Sequence, residues 1–295
     1  MPLAPSPHAA RTHRWLRRLC FLLIAAAPTH AAAQAILVAP QGVVLSNRER
    51  TGSIELYNPS ARASEITIRP VYGHPTTTPD GDLTLSIVEQ PDASVPSAAG
   101  FVDAFPRRLV LQPNQRQTIR LLARPPAGLP EGEYWARLII SAKDAEAQAA
   151  PTVDTTTMSV GLTLEVRTII AVNYRNGAQQ TGVQLGALTA SATGDSVVLR
   201  APMQRTGTAA WIGLTTVKLL DAKGNTVAAQ TMQTAVYQSI TPRFAFDRRS
   251  LAPGAYRISI DLSTDRPDVT QSTLLRSPPQ HGETTVTIPA GGSGT

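Results

Sequence analysis

Residues 53–69 read SIELYNPSARASEITIR. Ser53-Ile54-Glu55-Leu56-Tyr57 places an apolar side chain at every second position, and Glu65-Ile66-Thr67-Ile68-Arg69 does so again. Asn58-Pro59-Ser60 between them is turn chemistry. A period of two bounded by Asn, Pro and Ser is the pattern of strands with one buried face, not of a helix. The pattern recurs on both sides. Leu109-Val110-Leu111 leads into a turn at Gln112-Pro113-Asn114, and strands are expected at 117–122, 134–141 and 159–174. Further runs fall at 195–200, 214–220, 226–231 and 256–262, with a hairpin turn at Asp221-Ala222-Lys223-Gly224-Asn225. Short strands at turn-punctuated intervals predict an all-β sandwich fold.

An internal echo predicts two such modules. Leu129-Pro130-Glu131-Gly132-Glu133-Tyr134 and Leu251-Ala252-Pro253-Gly254-Ala255-Tyr256 both read L-x-x-G-x-Y and both open a strand. A Tyr placed just after such a turn fits the tyrosine corner of immunoglobulin-like sandwiches, where the hydroxyl bonds back to the main chain. The boundary falls within 176–182, giving domains at 34–176 and 177–285 and a disordered tail at 286–295. Residues 75–81, PTTTPDG, are expected as a loop. Residues 143–157 are expected as a long polar connection, of a length that is usually functional or mobile.

The N-terminus has a separate job. Arg11, Arg14, Arg17 and Arg18 precede the apolar run LCFLLIAAAP at 19–28, and Ala31-Ala32-Ala33 offers a small-x-small cleavage site. That order is a secretory signal peptide, expected at 1–33, and its apolar run is too short to span a membrane. Its removal takes four bases and no acids from totals of 27 and 21, leaving a net charge of +2. A near-neutral chain carries no electrostatic footprint for nucleic acid. The sole cysteine, Cys20, also leaves, and of five histidines only His74 and His281 remain. No disulfide, thiol chemistry, metal site or cofactor is expected. No G-x-S-x-G, HExxH or P-loop pattern occurs in the sequence, so no catalytic residue is assigned.

The segment at 158–166, MSVGLTLEV, alternates most strictly. Its apolar row belongs either to the core of its own sandwich or, in part, to another protein whose sheet it completes. Four aliphatic side chains fully buried there would contribute roughly 6–12 kcal/mol before ordering costs.

Several segments, in order, resemble the periplasmic pilus-assembly chaperones of the PapD-like superfamily. They are GSIELYNPS at 52–60, FPRRLVLQPNQRQTIRLL at 105–122 with Pro113 and Arg120 matching, LPEGEYWARLII at 129–140 without the family's R-E-S core, and EVRTIIAVNYRN at 165–176. TDRPD at 264–268 and LLRSPP at 274–279 match more weakly. The resemblance implies two immunoglobulin-like β-sandwich domains set at an angle and a donor strand with the row Val160, Leu162, Leu164 and Val166. It implies pilus- or fimbrial-type subunits as partners, an outer-membrane usher, and a periplasmic location with no stable membrane insertion after signal cleavage. An exposed apolar donor row is an edge liability, so self-association through the donor strand is a further expectation. Members of that family anchor a subunit's terminal carboxylate with an Arg near the N-terminus and a Lys. Ala171 occupies the Lys position here, leaving Arg48, Arg50 and Arg167 as candidate cations. The competing expectation is an extracellular or periplasmic structural or adhesive sandwich protein that lends no strand.

Overall fold

The computed structural model describes residues 36–145 and 164–289, and all of its regular elements are strands. The expected signal peptide at 1–33 lies outside the described residues, as does most of the expected long connection. The first sandwich holds β1 (Leu37–Ala39), β2 (Gly42–Ser46), β3 (Thr51–Tyr57), β4 (Ser64–Thr77), β5 (Leu83–Val88), β6 (Val102–Phe105), β7 (Arg108–Leu111), β8 (Arg116–Ala123), β9 (Gly132–Asp144) and β10 (Glu165–Asn176). One sheet runs β1-β3-β8-β6. The other runs β2-β10-β9-β4-β5, with β7 also on β4.

The quoted stretch behaves as its period requires. Ile54 and Leu56 on β3, and Ile66 and Ile68 on β4, are buried between the two sheets. Asn58 makes the turn permanent: its side chain donates to Arg62 O and Leu111 O and accepts from the Ser60 N–H and hydroxyl. With all these bonds made, the desolvation cost of the buried amide is offset.

The chain start is divided between the sheets. β1 pairs antiparallel with β3, whereas β2 pairs parallel with β10. Pro40 lies at the crossing, where a residue without an N–H forfeits no ladder bond.

The second sandwich holds β11 (Val183–Leu185), β12 (Thr189–Thr193), β13 (Ser196–Arg200), β14 (Met203–Arg205), β15 (Trp211–Leu220), β16 (Thr226–Val236), β17 (Ser239–Ile240), β18 (Arg243–Asp247), β19 (Gly254–Ser263) and β20 (Gln280–Ile288). Sheets β16-β15-β19-β20, β11-β14-β17 and β12-β13-β18 enclose a core around Trp211, Phe244, Phe246 and Ile258. The hairpin turn at 221–225 forms as read: Asp221 Oδ1 accepts from the N–H groups of Lys223 and Asn225, and Gly224 takes φ +85°.

Each core has its own tyrosine corner. Tyr134 Oη donates to Pro130 O at 2.9 Å, and Tyr256 Oη donates to Ala252 O at 3.0 Å. Both bonds run four residues back, across Gly132 and Gly254 at positive φ.

Two expectations are corrected. β20 continues to Ile288, because Val286 and Ile288 alternate into the second core, so the ordered sandwich outlasts residue 285. The expected loop at 75–81 is strand as far as Thr77, with Thr76 paired to Thr84 and only a tight turn left at 78–82. Successive threonines are β-branched and suit a pleated ladder.

Candidate functional site

β10 has two unlike halves. It pairs with β9 along its whole length, from Glu165↔Lys143 to Asn176↔Gly132. On its other side β2 covers only Ala171 to Arg175. The Ala171 N–H donates to Gln41 O at 3.2 Å, and Arg175 O accepts from the Asn47 N–H at 3.1 Å. Odd-numbered residues therefore turn their main-chain groups toward β2. Strand alternation sends those of Glu165, Arg167 and Ile169 the same way, where no described strand meets them. β2 is not extended along them because the chain before it has left for the other sheet, where Ala39 pairs with Glu55. An unpaired row of N–H and C=O groups is a template for an added strand.

The side chains of this half carry an apolar row out of the core. Ile170, Val172 and Tyr174 face the first core and are buried. By the two-residue period, Leu164, Val166 and Thr168 continue the same face. Val166 is half-buried and Leu164 is 58 % exposed. Of the expected donor row, Leu164 and Val166 thus lie on the open half, with Thr168 between them and the buried segment. Val160 and Leu162 lie outside the described residues.

The expected cations do not gather at Ala171. β2 runs parallel to β10, so the turn after it lies beyond Arg175, at the far end from Glu165. Arg48 and Arg50 sit in that turn, tied by Ser46 N to Glu49 O and by Ala123 N to Arg50 O. Four residues of strand, roughly 13 Å at the usual rise, separate Arg175 from Ala171. Arg167 lies on the opposite face from Leu164 and Val166, and its Nε donates to Glu165 at 2.8 Å. That hydrogen bond, with a weaker one from Ser141, holds the Glu165 carboxyl below its ordinary pKa. The cross-row of Ala171 contains Gly42 and Arg137. Arg137 is buried and turned toward β4: Nε donates to Gly73 O at 3.1 Å, and the guanidinium stands 4.6 Å over the Tyr237 ring. Its Nη2 has no hydrogen-bond partner among the described residues.

The other end of β10 carries a polar centre that the sequence did not disclose. The Glu133 side chain has no solvent exposure. Oε1 accepts from Trp135 Nε1, Asn173 Nδ2 and the Ala210 N–H, and Oε2 accepts from Arg175 Nε at 2.8 Å. Tyr237 Oη donates to Asn173 Oδ1 at 3.0 Å, and Arg175 Nη1 donates to Thr273 O at 2.6 Å. Ala210, Tyr237 and Thr273 belong to the second sandwich. This centre fixes that sandwich to β9 and β10 beside the aromatic cluster of Tyr72, Trp135 and Tyr237. The available signal was polar residues at alternate positions, Glu133 and Arg137, flanking a Trp in an otherwise apolar strand.

No protein-family profile matches the chain, and no curated protein matches it. Among solved structures it is similar to the CsuC–CsuE chaperone–tip adhesion subunit pre-assembly complex from archaic chaperone-usher Csu pili of Acinetobacter baumannii, at 13 % identity and a TM-score of 0.44 over 85 % of this chain and 98 % of that one. It is similar to the Salmonella enterica SafB chaperone in complex with the SafA pilin, at 13 % identity and a TM-score of 0.39 over 84 % and 95 %. It is also similar to the Pseudomonas aeruginosa CupB2 chaperone, at 14 % identity and a TM-score of 0.36 over 85 % and 100 %.

Proposed function

We propose that this protein is a periplasmic chaperone that holds pilus- or fimbrial-type subunits by pairing the open half of β10 with an incomplete subunit sheet, for delivery to an outer-membrane assembly site. One observation carries this reading: the outward main chain of Glu165, Arg167 and Ile169 lacks a described partner while the Leu164–Val166 row leaves the core beside it. Main-chain bonds along such an edge give affinity, and alternate apolar side chains filling pockets give selection. Leu164 offers at most about 1.5–3 kcal/mol gross if a partner buries it fully, and Val166, already largely covered, adds less. The row is the carrier of affinity in this reading, because Arg48 and Arg50 are remote from Ala171.

The test is capture of pilin-type subunits, co-expressed in the periplasm, by tagged wild type and by a Leu164→Glu/Val166→Glu variant. Leu164 is largely in solvent and neither side chain is fully buried in the first core, so the variant should fold. It is expected to recover at least tenfold less subunit. Equal recovery by a folded variant would sink the proposal and favour a sandwich protein that lends no strand.

A further inference from the structure

The second sandwich is gripped twice. One grip is the Glu133 centre on β9 and β10. The other is the tip of the β4–β5 hairpin, which leaves the first sandwich and lands on β17 and β18. There Thr241 N donates to Thr77 Oγ1 at 3.0 Å, and Arg243 N donates to Gly81 O at 2.9 Å. Arg200 Nη1 donates to Pro79 O at 3.0 Å, and Arg243 Nη2 donates to Asp82 at 3.1 Å. Between the two grips lies the buried cluster of Tyr72, Trp135 and Tyr237.

We propose that the β4–β5 hairpin is a strut, with Arg243 and Arg200 as positioning residues, that sets the orientation of the second sandwich beside β10 before any partner arrives. A single grip at the Glu133 centre would leave rotation about it, because the main-chain bonds of the connection after Asn176 run to the second sandwich, Gln180 O accepting from the Ala209 N–H and Gly182 O from the Thr206 N–H, and so move with it. A second grip on the far side of the same sheet removes that rotation. The hairpin reaches far enough because β4 runs 14 residues, past the end of its pairing with β9 at Val71↔Arg137 and on to Thr77. Its turn is shaped for the contact. Gly81 takes φ +87°, and a Cβ there would lie 2.9 Å from Arg243 Cβ and 3.1 Å from Thr241 O. Only glycine lets the turn and β18 approach so closely. Fixing the second sandwich beside β10 in advance lowers the ordering cost that a partner strand must meet on binding.

The mature chain lacks cysteine, so single cysteines placed at exposed Thr118 and Ser191 can carry spin labels on the two sandwiches without background. Gly81→Val is compared with Gly128→Val. Both glycines have positive φ, but nothing lies within 4 Å of a Cβ at Gly128. The wild type is expected to give one narrow inter-label distance distribution and one thermal unfolding transition. Gly81→Val is expected to widen the distribution at least twofold and split the transition, whereas Gly128→Val lowers stability and keeps both features. If the two variants give equal widths, the strut is overturned. Should Gly81→Val fail to fold, Thr77→Val with Arg200→Ala and Arg243→Ala removes three of the four bonds and leaves the turn intact. A wild-type width in that variant also overturns it. These readouts use the free protein, so they stand or fall independently of whether β10 receives a strand.

Discussion

Arg175 Nε lies 2.8 Å from Glu133 Oε2, and the Glu133 carboxylate is wholly enclosed by two β-sandwiches. A buried charge pair adds little over an apolar replacement, but breaking it leaves an unpaired charge in the interior. Here Glu133 also terminates three neutral donors, so its removal orphans them together.

Arg175→Ala is therefore expected to cost about 3–5 kcal/mol, and Glu133→Ala at least as much. Urea denaturation measures both. A loss below about 1 kcal/mol, the range of exposed pairs, would show that water reaches the centre.

Proline scanning tests the two sides of β10. The Arg167 N–H faces the open edge, whereas the Thr168 N–H faces β9. Arg167→Pro should stay within about 1 kcal/mol of wild type yet abolish subunit capture, because it removes an outward donor. Thr168→Pro should cost about 1–3 kcal/mol by leaving a β9 carbonyl unpaired. Reversed stabilities would mean that the register along Glu165–Ile170 differs from the one described.

The paired tyrosine corners predict matched effects. Tyr134→Phe and Tyr256→Phe each delete one hydroxyl bond to a main-chain carbonyl, at about 0.5–1.5 kcal/mol apiece. Being in separate cores, they should add in the double variant. Calorimetry of the singles and the double decides this, and a double variant no worse than either single refutes it.

His281 gives a pH signature. A hydrogen bond to Asp261 at 2.7 Å, aided by the Asp261 and Glu283 charges, raises its pKa above the ordinary value. A raised folded pKa means a contribution fully present below the unfolded pKa, about 6.5, and lost as pH rises through the higher folded value. NMR titration should find His281 titrating above 6.5, and Asp261→Asn should lower it. An unchanged midpoint in that variant would remove Asp261 as the cause. The group is exposed, so the stability effect is small and screened by salt.

The strands were legible because their information is local. Alternation in 53–69 placed Ile54, Leu56, Ile66 and Ile68 on one side each, and a slip of one residue would have exposed them all. The L-x-x-G-x-Y echo disclosed both tyrosine corners for the same reason: donor, glycine and acceptor lie within five consecutive residues. Thr76 and Thr77 were misread because Pro75 signals a break, although a proline is tolerated where the ladder does not need its N–H.

Sequence alone thus determined the all-β class and the two corners, both set by residues close together along one strand. Tertiary structure alone decided which half of β10 is left open, because that depends on where β2, more than a hundred residues earlier in the chain, begins its pairing. It also decided that Arg48 and Arg50 lie far from Ala171, and that Glu133, Asn173, Arg175, Ala210 and Tyr237 share one centre. Strand pairing and charge burial join segments distant in the chain, and the direction of a neighbouring strand cannot be read from a period of two.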